Sequence, residues 1–370
     1  MTIEPSLTFE KHLTRQPTTP ERRAQLVENP GFGQVFTDHM VTISWSAERG
    51  WHDARLQPYG PLQLDPATTV LHYAQTIFEG FKAYHQPNDG GVATFRPAAN
   101  ARRLNRSAER MAMPAIPEDT FVEAADLLIR TDWEWVPTEI ENTLYVRPFM
   151  IATEVGLGVR PATDYRFMVL ASPSAAYFPR GVKPVTVWLS EDYVRAAPGG
   201  TGEAKTGGNY AASLAAQQQA KDRGCDQEVW LDAVERQYVE EMGGMNLVFV
   251  YGTPDDEVTL VTPELTGTLL PGITRDSLLG LGRELGYKVE ERRVSTEEWR
   301  RAAAEGRMTE VFACGTAAVI TPVTTVKSSK DSFQIGDGEP GPVTIRLRQA
   351  MLDIQHGLAP DTYGWMHRVC

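Results

Sequence analysis

The sequence predicts an α+β protein of two domains, and its length and the order of its segments are the main reasons. The chain has 370 residues, which is long for one hydrophobic core but sufficient for two. Strand-like segments cluster early, and helices are interspersed with strands in both halves without a regular βαβ alternation. We place one domain, with an N-terminal arm, at 1–174, a connecting loop at 175–185 and the second domain at 186–370.

The first half predicts an arm followed by a sheet with two helices. Residues 1 to about 30 are polar and contain proline, which is typical of an arm along the surface. "HMVTISWS" is a strand, "TVLHYAQTIFEGFKAYHQ" is a strand or a helix that leads into a strand, and "NDGG" is a hairpin turn before "VATFR". "PAANARRLNRSAERMAM" and "EDTFVEAADLLIRTDWEWV" have the apolar spacing of helices. "TLYVRPFMIAT" and "DYRFMVLASP" are further strands.

The second half begins after "SAAYFPRGVKP", where aromatic residues, a glycine and two prolines interrupt the pattern and indicate an interdomain connection. Its strands are "VTVWLS", "QEVWLDA", "YVEEMGGMNLVFVYG" and "MTEVFACGTAAVITPV". Helical spacing predicts helices at 209–223, 274–286, 296–304 and 342–357.

Composition and charge narrow the class of protein. A net charge of -12 argues against nucleic acid or an anionic membrane as the main partner. Cys225, Cys314 and Cys370 form no C-x-x-C, which favours a reducing compartment and no cysteine metal site. Apolar runs such as "MNLVFVY" are far shorter than the ~20 residues of a membrane span. With no signal-peptide pattern at the N-terminus, we expect a cytoplasmic protein.

The stretch "GGTGEAKTGGNYAAS" places one lysine, Lys205, among glycines and small polar residues. It misses the P-loop pattern because Ala204 occupies the position of the second glycine, and because no strand leads directly into it. Glycines allow a planar ligand to approach closely, and a lysine whose pKa is lowered is a nucleophile. A solvated lysine in a surface loop remains the alternative, and Tyr210 follows at the start of the next helix.

Three other segments favour an anionic ligand. In "LPGITRDSLLGLGRELG", Thr274 stands at a helix start, where free N–H groups bind phosphate, although a capped surface helix is equally ordinary. In "YVEEMGGMN", strand alternation turns one of two adjacent glutamates inward, where it needs a cationic partner, unless both lie at an exposed strand end. "FRPAANARRLNRS" crowds three arginines at one helix start, where a solvated basic face is the alternative: Arg102, Arg103 and Arg106.

Together these features fit pyridoxal 5′-phosphate (PLP), whose aldehyde, pyridine nitrogen and phosphate match a lysine, a glutamate and a helix N-terminus. Zincin and hydrolase motifs are absent, since the sequence contains neither H-E-x-x-H nor G-x-S-x-G. A PLP-binding or phosphate-binding protein without turnover remains a second hypothesis.

The segments that carry these features are also familiar. In order they resemble the signature segments of the branched-chain amino acid aminotransferases, which are fold-type IV PLP enzymes: "FTDHM", "LHYAQTIFEGFKAY", "FRPAANARRL", "LYVRPF", "GLGV", "AYFPRG", "KTGGNYAAS", "EEMGGMN", "LPGITRDSLLGL" and "GTAAVITPV". The resemblance extends from about Gly31 to Ile354. It implies a D-amino acid aminotransferase-like fold, with a small N-terminal α/β domain and a larger C-terminal mixed domain that binds PLP.

The resemblance also implies roles for individual residues. Lys205 matches the Schiff-base lysine that moves the substrate's proton, Tyr210 the ligand of the cofactor's phenolic oxygen, and Glu241 the partner of the pyridinium nitrogen. The phosphate site corresponds to Arg103, Ile273, Thr274 and Thr316. The substrate pocket corresponds to Phe32, Tyr73, Phe78, Tyr145, Arg147, Gly315 and Ala317, with Leu157 and Val159 reaching the partner subunit of a homodimer and Tyr177 in the interdomain loop.

The implied reaction moves the amino group of L-leucine, L-isoleucine or L-valine to 2-oxoglutarate by a ping-pong cycle. An aliphatic pocket gains nothing from Arg147, but a guanidinium there would pair with the γ-carboxylate of glutamate. Two departures from the family stand out. "GTAAVI" lacks the C-x-x-C redox switch of some relatives, and Gly244 replaces a threonine. A D-amino acid aminotransferase or a chorismate-derived lyase remains the nearest alternative.

Overall fold

The structure is a computed structural model that describes residues 7–140, 142–175 and 182–370. These residues divide into two compact units. The first contains the described residues up to 175 together with Ala204–Gly207 and Ile354–Cys370, and the second contains 182–203 and Gly208–Asp353. The predicted α+β class is confirmed, since each unit combines a sheet with helices.

The first unit is built on a mostly antiparallel sheet in the order β1-β3-β2-β8-β7-β5-β6-β18, with β4 paired to β7. Helices α3 and α4 cover it, and their apolar faces join the core of the sheet. The strands are β1 Glu10–Lys11, β2 His39–Ser46, β3 Gly50–Pro58, β4 Thr76–Phe78, β5 Phe81–Gln86, β6 Gly91–Phe95, β7 Thr143–Ala152, β8 Asp164–Ser174 and β18 Met366–Arg368. The helices are α1 Pro20–Glu28, α2 Thr69–Tyr73, α3 Pro97–Arg110 and α4 Glu118–Thr131.

Two parts of the first unit differ from the sequence prediction. The N-terminal arm has regular structure, because β1 pairs in parallel with β3 and the hydroxyl of Thr19 caps α1. The C-terminal residues, which we assigned to the second domain with 204–207, belong to the first unit, where β18 pairs with β6. A strand needs a partner for its backbone groups, and the edge of this sheet provides it.

The second unit contains a closed sheet. Its strands follow the order β11-β10-β9-β16-β15-β12-β13-β14, and an additional β11–β12 pairing closes six of them into a ring around an apolar core. The strands are β9 Val185–Ser190, β10 Gln227–Leu231, β11 Val239–Met242, β12 Met245–Tyr251, β13 Thr259–Thr262, β14 Lys288–Glu291, β15 Met308–Gly315, β16 Val319–Lys327 and β17 Ser332–Gln334. The helices are α5 Gly207–Ala211, α6 Leu214–Asp222, α7 Ile273–Glu284, α8 Thr296–Ala304 and α9 Pro342–Gln355.

No helix among the described residues is long and apolar enough to cross a membrane. The predicted connection at 175–185 and the candidate residue Tyr177 fall largely or wholly on 176–181, outside the described residues.

Candidate active site

Lys205 is fixed through its backbone within the first unit. Its N–H donates to the hydroxyl of Ser107 on α3 at 2.9 Å, and its carbonyl accepts from the N–H of Phe78 at 3.0 Å. The hydroxyl of Thr206 donates to the carbonyl of Thr76 at 2.7 Å. The side chain is half-buried, and Nζ lies 4.8 Å from the centre of the Phe78 ring. Lys205 is therefore held between α3 and β4, which argues against an unconstrained surface loop.

Four predicted substrate residues come together on the same unit. The guanidinium of Arg147 lies 4.8 Å from the centre of the Phe78 ring and 5.3 Å from that of Tyr145, and its Nη2 donates to the Tyr145 hydroxyl at 3.2 Å. The ring of Phe32 meets Tyr145 edge-on at 5.0 Å. Arg147 Nε is buried without a hydrogen-bond partner among the described residues. An aromatic wall thus holds a cation with a donor still available for an anion.

The turn before β5 is shaped by Glu79 and Gly80. A Cβ at Gly80 would lie 1.9 Å from the Tyr145 hydroxyl, so only glycine fits there. Glu79 is fully buried and accepts from Arg103 Nε and Nη2, each at 2.7 Å. Arg103 is 4% exposed, so the predicted phosphate ligand is a buried, oriented guanidinium, in contrast to the solvated Arg102 and Arg106 on the same helix. Sequence reasoning missed Glu79.

Tyr73, Leu157 and Val159 form an exposed group on the first unit. The Tyr73 hydroxyl donates to the carbonyl of Leu157 at 2.5 Å. The three residues are 40%, 67% and 82% exposed. Apolar side chains exposed together often mark a contact surface.

In the second unit, several of the candidate residues and their partners lie around Glu241. The sequence predicted either one inward glutamate or two glutamates at an exposed strand end. Both alternatives are wrong, because both side chains are buried: Glu240 is 5% exposed and Glu241 is 3% exposed. Glu241 Oε1 accepts from the N–H of Leu270 at 2.8 Å and from Asn246 Nδ2 at 3.3 Å, while Oε2 lies 3.0 Å from Arg195 Nε. Arg195 is the cationic partner that an inward carboxylate requires. Its position in the sequence gave no signal.

Asn246 links Glu241 to the start of α7. It donates to Glu241 and to the carbonyl of Leu270, and a Cβ at Gly272 would lie 2.0 Å from its Oδ1. Helix α7 begins at Ile273, and its N-cap residue is Gly272. Because glycine has no side chain, no side-chain hydrogen bond caps this helix, in contrast to the capped surface helix that the sequence left as the alternative. Thr274, in the first turn, is 7% exposed. The first turn of a helix offers N–H groups to an anion.

The remaining candidates of this unit lie on α5 and on one hairpin. Tyr210 is on α5, and a Cβ at Gly244 would lie 3.5 Å from its ring, so a threonine there would contact the tyrosine. Gly315 ends β15 and pairs with Val319, and Thr316 and Ala317 lie in the turn that leads to β16. Val319, which follows, has a φ of +61°, a costly conformation for a β-branched residue that marks a constrained turn.

Each unit by itself carries groups of the kind that PLP requires. The first has a fixed lysine and a buried arginine, and the second has a buried carboxylate with a cationic partner and a helix start without a side-chain cap. No cluster of three or more potential metal ligands occurs among the residues that the structure describes. The lysine, the carboxylate and the helix start match the aldehyde, the pyridine nitrogen and the phosphate of PLP.

The chain belongs to the amino-transferase class IV family, whose model matches residues 76–326. It is 60% identical over 361 residues to a probable branched-chain-amino-acid aminotransferase of Streptomyces coelicolor, covering 97% of this chain and 98% of the relative. It is 57% identical over 364 residues to the branched-chain-amino-acid aminotransferase of Mycolicibacterium smegmatis, covering 98% of each.

Among solved structures, it is similar to the branched-chain amino acid aminotransferase of T.th., complexed with N-(5′-phosphopyridoxyl)-L-glutamate. The TM-score is 0.73 and the identity 29%, covering 89% of this chain and 98% of the other. The resemblance to branched-chain aminotransferases and the two-domain fold-type IV class are confirmed.

Proposed function

We propose that this chain transfers the amino group of L-leucine, L-isoleucine or L-valine to 2-oxoglutarate with PLP as cofactor. The observation that carries the proposal is the placement of Lys205, whose backbone is fixed on both sides by Ser107 and Phe78. When bound, PLP supplies an electron sink for the bonds at the substrate's Cα. Lys205 would hold the cofactor covalently, and its Nζ would move a proton between Cα of the substrate and C4′ of the cofactor.

The geometry of each unit supports the other cofactor contacts that we propose. Glu241 holds a proton on the pyridine nitrogen, and Arg195 at 3.0 Å balances the charge that Glu241 retains. Tyr210 would donate to the cofactor's phenolic oxygen. Ile273 and Thr274, at the first turn of α7, and Thr316 would hold the phosphate, and Arg103, whose guanidinium Glu79 orients, would be a further phosphate ligand.

Different residues of this chain would bind the substrate's side chain and its γ-carboxylate. Phe32, Phe78 and Tyr145 form an apolar wall for an aliphatic side chain, in which each buried methylene contributes ~0.8 kcal/mol. Arg147, with its uncommitted Nε, binds the γ-carboxylate of glutamate or 2-oxoglutarate. Gly315 and Ala317 would contribute backbone groups to substrate binding.

We further propose a cytoplasmic homodimer. The exposed group of Tyr73, Leu157 and Val159 supports this, because burying it against a second subunit removes a large apolar surface from water.

The test is the absorption spectrum of the purified holoprotein with and without L-leucine. It is repeated with Lys205→Ala and with the matched control Lys221→Ala, at an exposed position of α6. We expect a near-visible band that shifts with L-leucine in the wild type and the control, and no covalent band in Lys205→Ala. A band that responds to D-alanine but not to L-leucine would refute the assigned substrate class. The absence of any band after incubation with PLP would refute the assignment as a PLP enzyme.

The role of Arg147 has its own test. In Arg147→Leu we expect the KM for 2-oxoglutarate to rise by about tenfold or more while the KM for L-leucine changes little, since one charge-assisted pair contributes about 1.5–3 kcal/mol. Equal changes for both substrates would contradict a role in binding the γ-carboxylate.

A further inference from the structure

A cavity apart from the candidate active-site residues lies wholly within the second unit. It has a volume of about 340 Å³, which is within the range of small-molecule sites. Its wall includes the start of β11, the turn before this strand and the loop after β13. Aliphatic side chains form part of the lining, among them Val234, Val239 and Leu269.

The charges around this cavity are unbalanced. Four carboxyl residues line it, Asp232, Glu235, Glu240 and Glu264, against one guanidinium, Arg293. Arg293 is already engaged, because it lies 3.0 Å from Glu235 Oε1 and 3.5 Å above the centre of the Tyr238 ring. The cavity therefore favours a cation over an anion.

Asp232 is engaged as well. Its Oδ2 accepts from the N–H groups of Val234 and Glu235, and its Oδ1 from those of Gln237 and Tyr238. Burial acts to raise the pKa of Asp232, but these four backbone donors together hold it below the usual range. Asp232 thus organises the turn that borders the cavity.

Glu240 differs from the other carboxyl groups of the lining. It is 5% exposed, and Oε1 accepts from the hydroxyl of Thr268, another lining residue, at 2.5 Å. Oε2 has no hydrogen-bond partner within the part of the chain that the structure describes. Burial raises the pKa of Glu240, as expected for a carboxyl group that lacks a cationic partner of its own. A buried acceptor of this kind needs a donor.

We propose that this cavity binds a small organic cation with N–H donors and a short alkyl chain, whose charged end pairs with Glu240 Oε2. The excess of carboxyl groups selects the charge, the buried Oε2 of Glu240 selects a hydrogen-bond donor, and the aliphatic lining selects the alkyl chain. A metal ion does not suit the cavity, because no group of three or more metal-ligating side chains is found among the described residues. The site is distinct from Glu241 and does not depend on the proposed reaction.

The cavity nevertheless adjoins the support of Glu241. Thr268 donates its hydroxyl to Glu240, and its carbonyl accepts from Nη2 of Arg195, the partner of Glu241. The two adjacent glutamates are thus connected through one threonine.

Calorimetric titration of the holoprotein with n-propylguanidinium tests the proposal, with n-propylurea as the uncharged analogue of the same shape. Neither probe is a primary alkylamine, so binding is not confused with reaction at a cofactor aldehyde. We expect the cation to bind at least about tenfold more tightly than the urea, because a hydrogen bond to a buried charge is worth about that factor or more.

Three variants locate the site. Glu240→Gln should weaken binding of n-propylguanidinium by about tenfold or more, whereas Glu264→Gln, at an exposed carboxyl of the same cavity, should change it by at most about threefold. Val234→Phe places a ring at an exposed lining position, 73% exposed, and should weaken binding without disturbing the fold. Equal affinity for cation and urea, no measurable binding of either, or unchanged binding in both Glu240→Gln and Val234→Phe would overturn the proposal.

Discussion

Replacing Glu79 by glutamine tests whether the buried arginine of α3 depends on its carboxylate. Glu79 is 0% exposed, Arg103 is 4% exposed, and two hydrogen bonds of 2.7 Å join them. Removing one partner of a buried ion pair leaves an uncompensated charge, which costs about 3–5 kcal/mol. Because glutamine retains one acceptor oxygen, we expect a loss near the lower end, about 3 kcal/mol.

The same helix offers a matched control. Arg102, the neighbour of Arg103, pairs with Glu118 at 3.1 Å, and both side chains are about half exposed, at 53% and 43%. An exposed pair of this kind contributes at most about 1 kcal/mol. Glu118→Gln therefore removes the carboxylate partner of another arginine on α3, and we expect only a small loss of stability.

Urea unfolding of the holoproteins, followed by tryptophan fluorescence, measures both effects, and a PLP titration measures the affinity for the cofactor. Glu79→Gln should lower the unfolding midpoint well below that of Glu118→Gln and should weaken PLP binding, because Arg103 loses its orientation. If the two variants unfold at the same urea concentration, the reasoning about the buried pair is wrong. If stability falls while the affinity for PLP is unchanged, Arg103 is not a phosphate ligand.

Three further predictions concern the second unit's interior. Trp299→Ala should cost about 3–5 kcal/mol in urea unfolding, because Trp299 is fully buried against Phe249 and Phe333, and a smaller loss would contradict this packing. Burial raises the pKa of the Cys314 thiol to about 12, so an alkylating reagent followed by mass spectrometry should leave it unmodified in the native protein while the exposed Cys370 reacts. Burial also raises the pKa of Glu228 from 4.5 to about 7, so the folded protein keeps a proton in this range that the unfolded chain releases. Stability should therefore fall as the pH rises through this window, by up to about 3 kcal/mol, and parallel pH profiles for wild type and Glu228→Gln would refute it.

Regular elements were the most predictable part of the fold. The strand predicted from "HMVTISWS" is β2, and the two amphipathic segments of the first half are α3 and α4. The helix predicted at 209–223 is instead two, α5 and α6, with Ala212 and Ser213 between them. Apolar periodicity reports which face is buried, but it is insensitive to a short break that the backbone makes to change direction.

Pairings between distant segments were not predictable. β18 adds to the edge of the first sheet beside β6, and β16 pairs with β9 in the second sheet, although nothing in these strands specifies their neighbours. Likewise Glu79, Arg195 and Ser107 contact the predicted site residues, yet the local sequence around each of them does not predict this contact. Their importance arises from contacts made across the fold, which a local pattern does not contain.

Glu240 and Glu241 show why the chemistry of a site cannot be read from residue type alone. Both are glutamates of β11, and both are buried. Glu241 has a guanidinium and a backbone N–H as partners, so its charge is balanced, whereas Glu240 has one hydroxyl and an oxygen without a partner among the described residues. Because successive residues of a strand face opposite sides, one sequence motif supplies two carboxyl groups with different partners. The difference in partners suits Glu241 to hold a fixed proton on a cofactor nitrogen and leaves Glu240 able to accept a donor from a separate ligand.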